Sequence, residues 1–243
     1  MAESPSLPIP RTTSPLYGAQ AGELAGQLAT LSTEELAKIL RVNHRIAATN
    51  RLRYSRFHDD AERALPALAA YTGIVFKRIA PADFTAGDFE YAQAHLNITS
   101  FLYGLLRPLD AIRTYRLEGD AVLPGHGEQT GFEYWQDKLT DAFLEKIKAD
   151  DGILVNLASS EMKRLFDWKR ICREVRVVTP EFRIREDDRL KTVVVYTKMC
   201  RGEMTRYILK NRIGDPQQLK AFEWEGFRQD AALSKADDWV FTM

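Results

Sequence analysis

Ile153-Leu154-Val155-Asn156-Leu157-Ala158-Ser159-Ser160-Glu161 is the stretch on which the fold turns. A short aliphatic run that stops at Asn and small polar residues reads as a buried strand, with room for a new helix to begin after it. The residues before it have a different period. Thr130 and Glu133 form a capping box, and Phe132, Trp135, Leu139, Phe143 and Ile147 line one side of a helix through about residue 149. A helix followed by a buried strand sets the expected class: mixed α and β, with a central sheet among surrounding helices. In such folds ligands settle at strand ends, which makes Asn156 and Ser159 candidate site residues.

Toward the C-terminus, residues 176–178 and 192–196 read as strands joined through a turn at Arg185-Glu186-Asp187-Asp188-Arg189. A helix is expected over 198–212, closed by Gly214 and Pro216. Its wheel puts Cys200, Met204, Tyr207 and Ile208 inside, with Lys198, Arg201, Arg206, Lys210 and Arg212 over much of the rest. Toward the N-terminus, residues 71–76 read as β, and a helix is expected over 88–103. Gly104 then separates it from Leu105-Leu106-Arg107-Pro108, the pattern of a helical hairpin turn. Ser32 and Glu35 form another capping box, before a helix carrying Leu36, Ile39, Leu40, Val42 and Ile46. Residues 1–18 hold Pro5, Pro8, Pro10 and Pro15 among Ser and Thr and are expected to be extended; residues 19–243 form the domain.

The 243 residues carry 34 basic and 34 acidic side chains, and two cysteines, Cys172 and Cys200. No run approaches the ~20 apolar residues of a membrane span, and the start lacks a secretory pattern. Two cysteines make no disulfide framework, so a reducing cytoplasm is expected. Cys200 falls on the apolar side of its helix, where an inert thiol is expected despite Lys198 and Arg201 nearby. Charge is uneven along the chain. Residues 163–212 hold 15 Lys or Arg and 7 Asp or Glu, a balance of +8, and the remainder is −8. Such a dipolar chain can hold a polyanion on one face, or pair the two halves internally.

Chemistry-bearing groups concentrate in three places. Arg107-Pro108-Leu109-Asp110 with Tyr115-Arg116-Leu117-Glu118 offers guanidinium forks and carboxylates that suit a phosphate site or a buried ion-pair network. Asn156 to Glu161 offers the strand end, and the 198–212 helix offers its basic face. There is no phosphate-binding glycine loop, no HExxH and no Gly-x-Ser-x-Gly, and the four His residues are scattered. No metal site and no cofactor are expected, and no catalytic motif is recognised, which argues against an enzyme.

In order along the chain, Tyr71-Thr72-Gly73, Leu102-Tyr103-Gly104-Leu105-Leu106-Arg107-Pro108-Leu109-Asp110, Tyr115-Arg116-Leu117-Glu118, Asn156-Leu157-Ala158-Ser159, residues 198–213, Glu225-Gly226-Phe227 and Trp239-Val240-Phe241 resemble the YaaA-type peroxide stress-response family. Tyr71-Thr72-Gly73-Ile74-Val75-Phe76-Lys77-Arg78 resembles its Bacteroidetes branch. The resemblance implies a bacterial cytoplasmic protein that limits oxidative and iron-dependent damage. It also implies a single compact α/β domain with a helix-hairpin-helix element and a positively charged cleft that binds duplex DNA. Carried onto this chain, the hairpin falls on Leu102, Tyr103, Gly104 and Leu105. The cleft falls on Arg107, Arg116, Lys198, Arg201 and Arg206, with Asp110, Tyr115, Glu118, Asn156 and Ser159 as its polar lining. A monomer is expected. Family members begin with a short apolar strand and a Ser-Pro-Ala-Lys-Thr-like or Ser-Cys-Ala-Lys-Thr-like motif. Met1-Ala2-Glu3-Ser4 resembles the residues just after that motif, so a first strand and a cleft Lys are expected upstream. The same polar groups would also suit an enzyme acting on a small phosphorylated or amino-acid-like ligand.

Overall fold

A computed structural model describes residues 1–2, 7, 9–59, 63–187 and 189–243. The expected class holds: helices surround a small mixed sheet in one α/β domain. The strand of the opening stretch is β5 (Ile153–Val155), at the end of that sheet. It pairs in parallel with β6 (Arg176–Glu186), which pairs in parallel with β9 (Asp238–Thr242). β8 (Arg228–Gln229) closes the far side against β9, and β7 (Arg189–Lys191) folds back on the end of β6. The helix before β5 is α7 (Gly131–Ala149), and its Thr130–Glu133 capping box is present. Trp135, Leu139, Phe143 and Ile147 of α7 are buried in the largest core cluster.

On the N-terminal side α1 (Gly18–Ala29) buries Ala21, Leu24, Ala25 and Leu28 against α3 (His44–Ser55). The helix expected from residue 32 is two helices. α2 (Thr33–Ile39) keeps the Ser32–Glu35 capping box, Arg41 turns left-handed at φ 50, and Asn43 caps α3 through the Ile46 N–H. Side-chain capping by Asn43 satisfies an orphan donor and so favours a fresh start over a continuous helix. Of the Pro/Ser-rich stretch, residues 3–6 and 8 lie outside the described residues. The described part returns along the domain: the Thr13 N–H donates to the Leu109 carbonyl, and the Thr13 carbonyl accepts from the Ala111 N–H.

Three expectations are corrected. The β-rich reading of residues 71–76 fails, because α4 (Ala67–Ala70) and α5 (Ile74–Ile79) occupy this region, with Gly73 as the α5 N-cap. The β-branched and aromatic residues there belong to a short helix packed on α9 (Val194–Asn211), and packing overrode β propensity. α9 itself begins inside the stretch read as strand, with Val194 and Val195 exposed on its first turn.

The third correction concerns the hairpin. The helix expected over 88–103 is α6 (Ala86–His95), and it stops where β-branched Ile98 and Thr99 take an extended course. β2 (Ile98–Ser100) and β3 (Gly104–Leu106) pair antiparallel, Ser100 opposite Gly104. Leu102 and Tyr103 lie in the turn of this β-hairpin, and Gly104 and Leu105 open its second strand. The turn therefore joins two strands rather than two helices. Gly104 is required twice over: its φ is +67°, and a Cβ there would stand 2.7 Å from the Trp135 ring. Other short elements include β1 (Leu65–Pro66) with β4 (Ala111–Ile112), α8 (Trp168–Glu174), and 3-10 turns at Pro81–Asp83, Met162–Leu165 and Pro216–Ala221. No helix among the described residues is long and apolar enough to cross a membrane.

Candidate functional site

A cavity of about 600 Å³ opens beside β5. That size suits a small-molecule site. One wall is the open side of β5, whose Ile153, Leu154 and Val155 are only half-buried. Opposite stand α5 and α9. Lys198, Arg201, Thr205 and Ile208 of α9 recur at three- and four-residue spacing and share the face that lines the cavity. α5 and α9 approach closely because Gly202 has no side chain: a Cβ there would lie 2.4 Å from the Val75 carbonyl oxygen. α6, the β2–β3 hairpin and α7 complete the lining through Tyr91, Ile98, Leu105, Phe143 and Lys146.

The electrostatics are asymmetric. Lys146, Lys163, Lys198 and Arg201 line the cavity against Asp150 and Asp151. The Arg201 Nε is buried and has no hydrogen-bond partner among the described residues. Burial also pulls the Arg201 pKa below the ordinary guanidinium value. A buried charged donor without an acceptor is costly unless something outside the chain supplies one. Lys198 is exposed at the rim. Lys163 sits 5.0 Å above the Trp168 ring. Lys146 donates to the Asn97 Oδ1 at 2.6 Å, and burial lowers its pKa, with Arg107 nearby adding to the shift.

The polar loop after β5 holds its shape by local bonds. The Asn156 Oδ1 accepts from the Ala158 N–H at 3.3 Å, and the Ser159 Oγ accepts from the Met162 N–H at 3.4 Å, opening the single turn Met162–Leu165. Behind the cavity wall, the Tyr71 and Tyr115 hydroxyls share a hydrogen bond of 2.8 Å, and Tyr115 and Ser100 share one of 2.7 Å. Burial raises the pKa of both phenols, so both stay protonated.

Of the five cationic residues singled out in the sequence, the cavity gathers Lys198 and Arg201. The other three are held by carboxylates and are not among its lining residues. Arg107 forks onto the fully buried Asp110 and donates to the Ser14 carbonyl. Arg116 pairs with Glu118 at 2.8 Å. Arg206 pairs with Asp83 at 2.5 Å and donates to the Ile79 and Ala80 carbonyls. Of the polar candidates, Asn156 and Ser159 line the cavity. Asp110 is the hub of a structural knot, accepting also from Thr13 at 2.6 Å. Tyr115 touches the cavity only through Tyr71, and Glu118 serves Arg116. Leu105 of the hairpin residues reaches the lining. Sequence reading missed Lys146, Asp150 and Asp151. The signal available for them was a charged cluster directly before the β5 run. Among the described residues, no group of three or more His, Cys, Asp or Glu is placed to hold a metal ion.

Comparison with known proteins bears on the whole chain. Residues 1–233 match the family model of the peroxide stress protein YaaA. A UPF0246 protein of Bacteroides thetaiotaomicron is 60% identical over 233 residues, covering 96% of this chain and 91% of the relative. A UPF0246 protein of Bacteroides fragilis is 56% identical over 242 residues, covering 100% of this chain and 94% of the relative. A UPF0246 protein of Clostridium beijerinckii is 34% identical over 231 residues, with coverage of 95% and 89%. The chain therefore belongs to the YaaA peroxide stress protein family.

Proposed function

We propose that this protein serves peroxide defence in the cytoplasm by holding a small anionic ligand with an apolar body in the cavity beside β5. Membership in the peroxide stress family supports the role. The unpartnered, buried Nε of Arg201 supports the ligand class, because a carboxylate or phosphate oxygen there would complete its hydrogen bonding. Lys198 at the rim adds a second charge, and the aliphatic flank of β5 suits the apolar body. Free Cys172 and Cys200 accord with a reducing compartment. Thermal-shift screening against aliphatic carboxylates, phosphate esters and amino-acid derivatives tests this reading. A ligand specific to the folded state raises the melting temperature. The Arg201→Gln variant should lose that shift, and a shift retained in full by the variant contradicts the reading.

A second reading, binding of duplex DNA, rests on a different observation, the +8 balance of residues 163–212. Pairing works against it. In that segment Arg170, Arg176, Arg183, Arg185, Lys191, Arg206, Lys210 and Arg212 are all in ion pairs. DNA affinity that falls steeply with salt would support this reading. No binding at low salt removes it.

A further inference from the structure

We propose that the outer face of the β6–β9 ladder carries a second site, a groove that takes one free aliphatic amino acid in its zwitterionic form. The site is separate from the cavity beside β5, and its failure would leave the anionic-ligand reading untouched.

The ladder packs its core on one face only. Phe182, Trp239 and Phe241 join the cluster that holds Cys200 and Met204 of α9. Their alternate neighbours point outward. In the parallel register Thr179 lies beside Asp238 and Glu181 beside Val240, so Glu181, Arg183, Asp238 and Val240 share the outer face. Leu190 joins them, because β7 places it beside Arg185, two residues on from Arg183. Residues 230–237 then curl over this face. The Arg185 guanidinium reaches the Asp230 carboxylate at 3.2 Å, and the Ser234 Oγ accepts from the Val240 N–H at 3.0 Å. What stays open is a groove of about 280 Å³, to which Leu233 and Lys235 also contribute.

Charge selects the ligand class. Glu181 and Arg183 hold each other at 2.6 Å. Lys235 and Asp238 face each other across a tight turn, each donating its N–H to the other's carbonyl, at 2.9 and 2.8 Å. At such a hydrogen-bonded pair the Cα atoms stand about 5.5 Å apart and the side chains leave on the same side. Yet neither Lys235 nor Asp238 is in an ion pair among the described residues. One ammonium and one carboxylate therefore look into a groove of zero net charge. A lone anion or a lone cation gains from one of them and is repelled by the other. A zwitterion satisfies both, its carboxylate on Lys235 and its ammonium on Asp238, with Glu181 reinforcing the acidic side.

Size and lining select the member of that class. Leu190, Leu233 and Val240 give the groove an aliphatic surface. Its volume falls just short of the ~300 Å³ at which drug-sized sites begin, which admits one residue and not a peptide. Lys235 and Asp238 are exposed, so the ligand enters without any opening of the fold.

Amide chemical-shift titration of the full chain by NMR tests the proposal. Leucine is compared with N-acetyl-leucine, which is only an anion, with leucinamide, which is only a cation, and with glycine, which lacks the apolar group. Leucine should shift the amides of Leu233, Lys235 and Val240. It should bind about fivefold more tightly than either blocked form, the upper value for one exposed charge contact, and more tightly than glycine. Lys235→Gln should weaken leucine about fivefold and leave leucinamide unchanged. Asp238→Asn should weaken leucine and leave N-acetyl-leucine unchanged. Misfolding does not produce that crossed pattern. Equal affinity for leucine and its blocked forms overturns the proposal, as does the absence of leucine-induced shifts at these amides. Leucine binding that survives Lys235→Gln and is lost in Arg201→Gln also overturns it, because the amino acid would then sit in the cavity beside β5.

Discussion

Replacing Gly202 with Ala separates two opposed physical effects whose difference has a definite sign. In a helix with room around it the change adds about 0.8–1 kcal/mol of stability, because Gly loses more backbone entropy on folding. Gly202 has no such room. The added Cβ would stand 2.4 Å from the Val75 carbonyl oxygen and 2.5 Å from the Arg78 Cβ. Ordinary contact is roughly 3.5 Å, so α5 and α9 must separate by about 1 Å. The nearest obstacle is backbone, which cannot rotate away, and this puts the cost near the upper part of the ~1–3 kcal/mol range for overpacking. The net expectation is a loss of about 1–2 kcal/mol. For a chain of this size that is a fall of roughly 2–8 °C in melting temperature. Urea denaturation followed by circular dichroism measures it, read as a lowered midpoint at unchanged slope. A midpoint that rises would mean the helices have space at this crossing and would refute the packing argument.

Other expectations are independent of that one. Arg201→Met should raise stability by about 1 kcal/mol, since it removes a buried donor with no acceptor, and should abolish ligand binding; chemical denaturation and titration check the two halves. Asp88 is held at about 2 by the Thr85 backbone N–H and then by Lys210, and Glu174 at about 2 by Lys148 and then Arg170. Both values lie below those of the unfolded chain. Their stabilisation is therefore full above about pH 4.5 and is lost as pH falls toward 2. Asp88→Asn should flatten part of that slope in acid denaturation, and an unchanged slope counts against the assignment. Cys200 is buried and its thiol is pushed up to about 12 by burial. A thiol reagent at pH 8 should therefore modify Cys172 alone in the native protein, and rapid labelling of both would contradict the packing around Cys200.

The parts of the fold that were legible in the sequence are those fixed by local chemistry. The capping boxes at Ser32 and Thr130 set helix starts without help from the rest of the chain, and the aliphatic run at Ile153 marked β5. Residues 71–76 and 98–106 were not legible, because their state depends on distant partners. Val75 and Phe76 sit in a helix because α9 offers Gly202 to pack against. Ile98 and Thr99 leave the helix because Gly104 can turn tightly over Trp135 and return the chain. The site was half legible for a related reason. Lys198, Arg201, Asn156 and Ser159 stood out by type and position. Arg107, Arg116 and Arg206 looked the same in the sequence, and only the fold supplies Asp110, Glu118 and Asp83 to hold them. Lys146, Asp150 and Asp151 carried no signal of their own beyond their charge, and only the fold brings them to the cavity.

The cavity, rather than the ion-paired surface arginines, is proposed to carry the protective role. Survival under hydrogen peroxide, in cells lacking their own family member and supplied with variants of this chain, tests that claim most directly. The Lys198→Gln, Arg201→Gln double variant should lose protection at normal protein levels, and Arg116→Gln should keep it. Full protection by the double variant, or loss with Arg116→Gln alone, contradicts the claim.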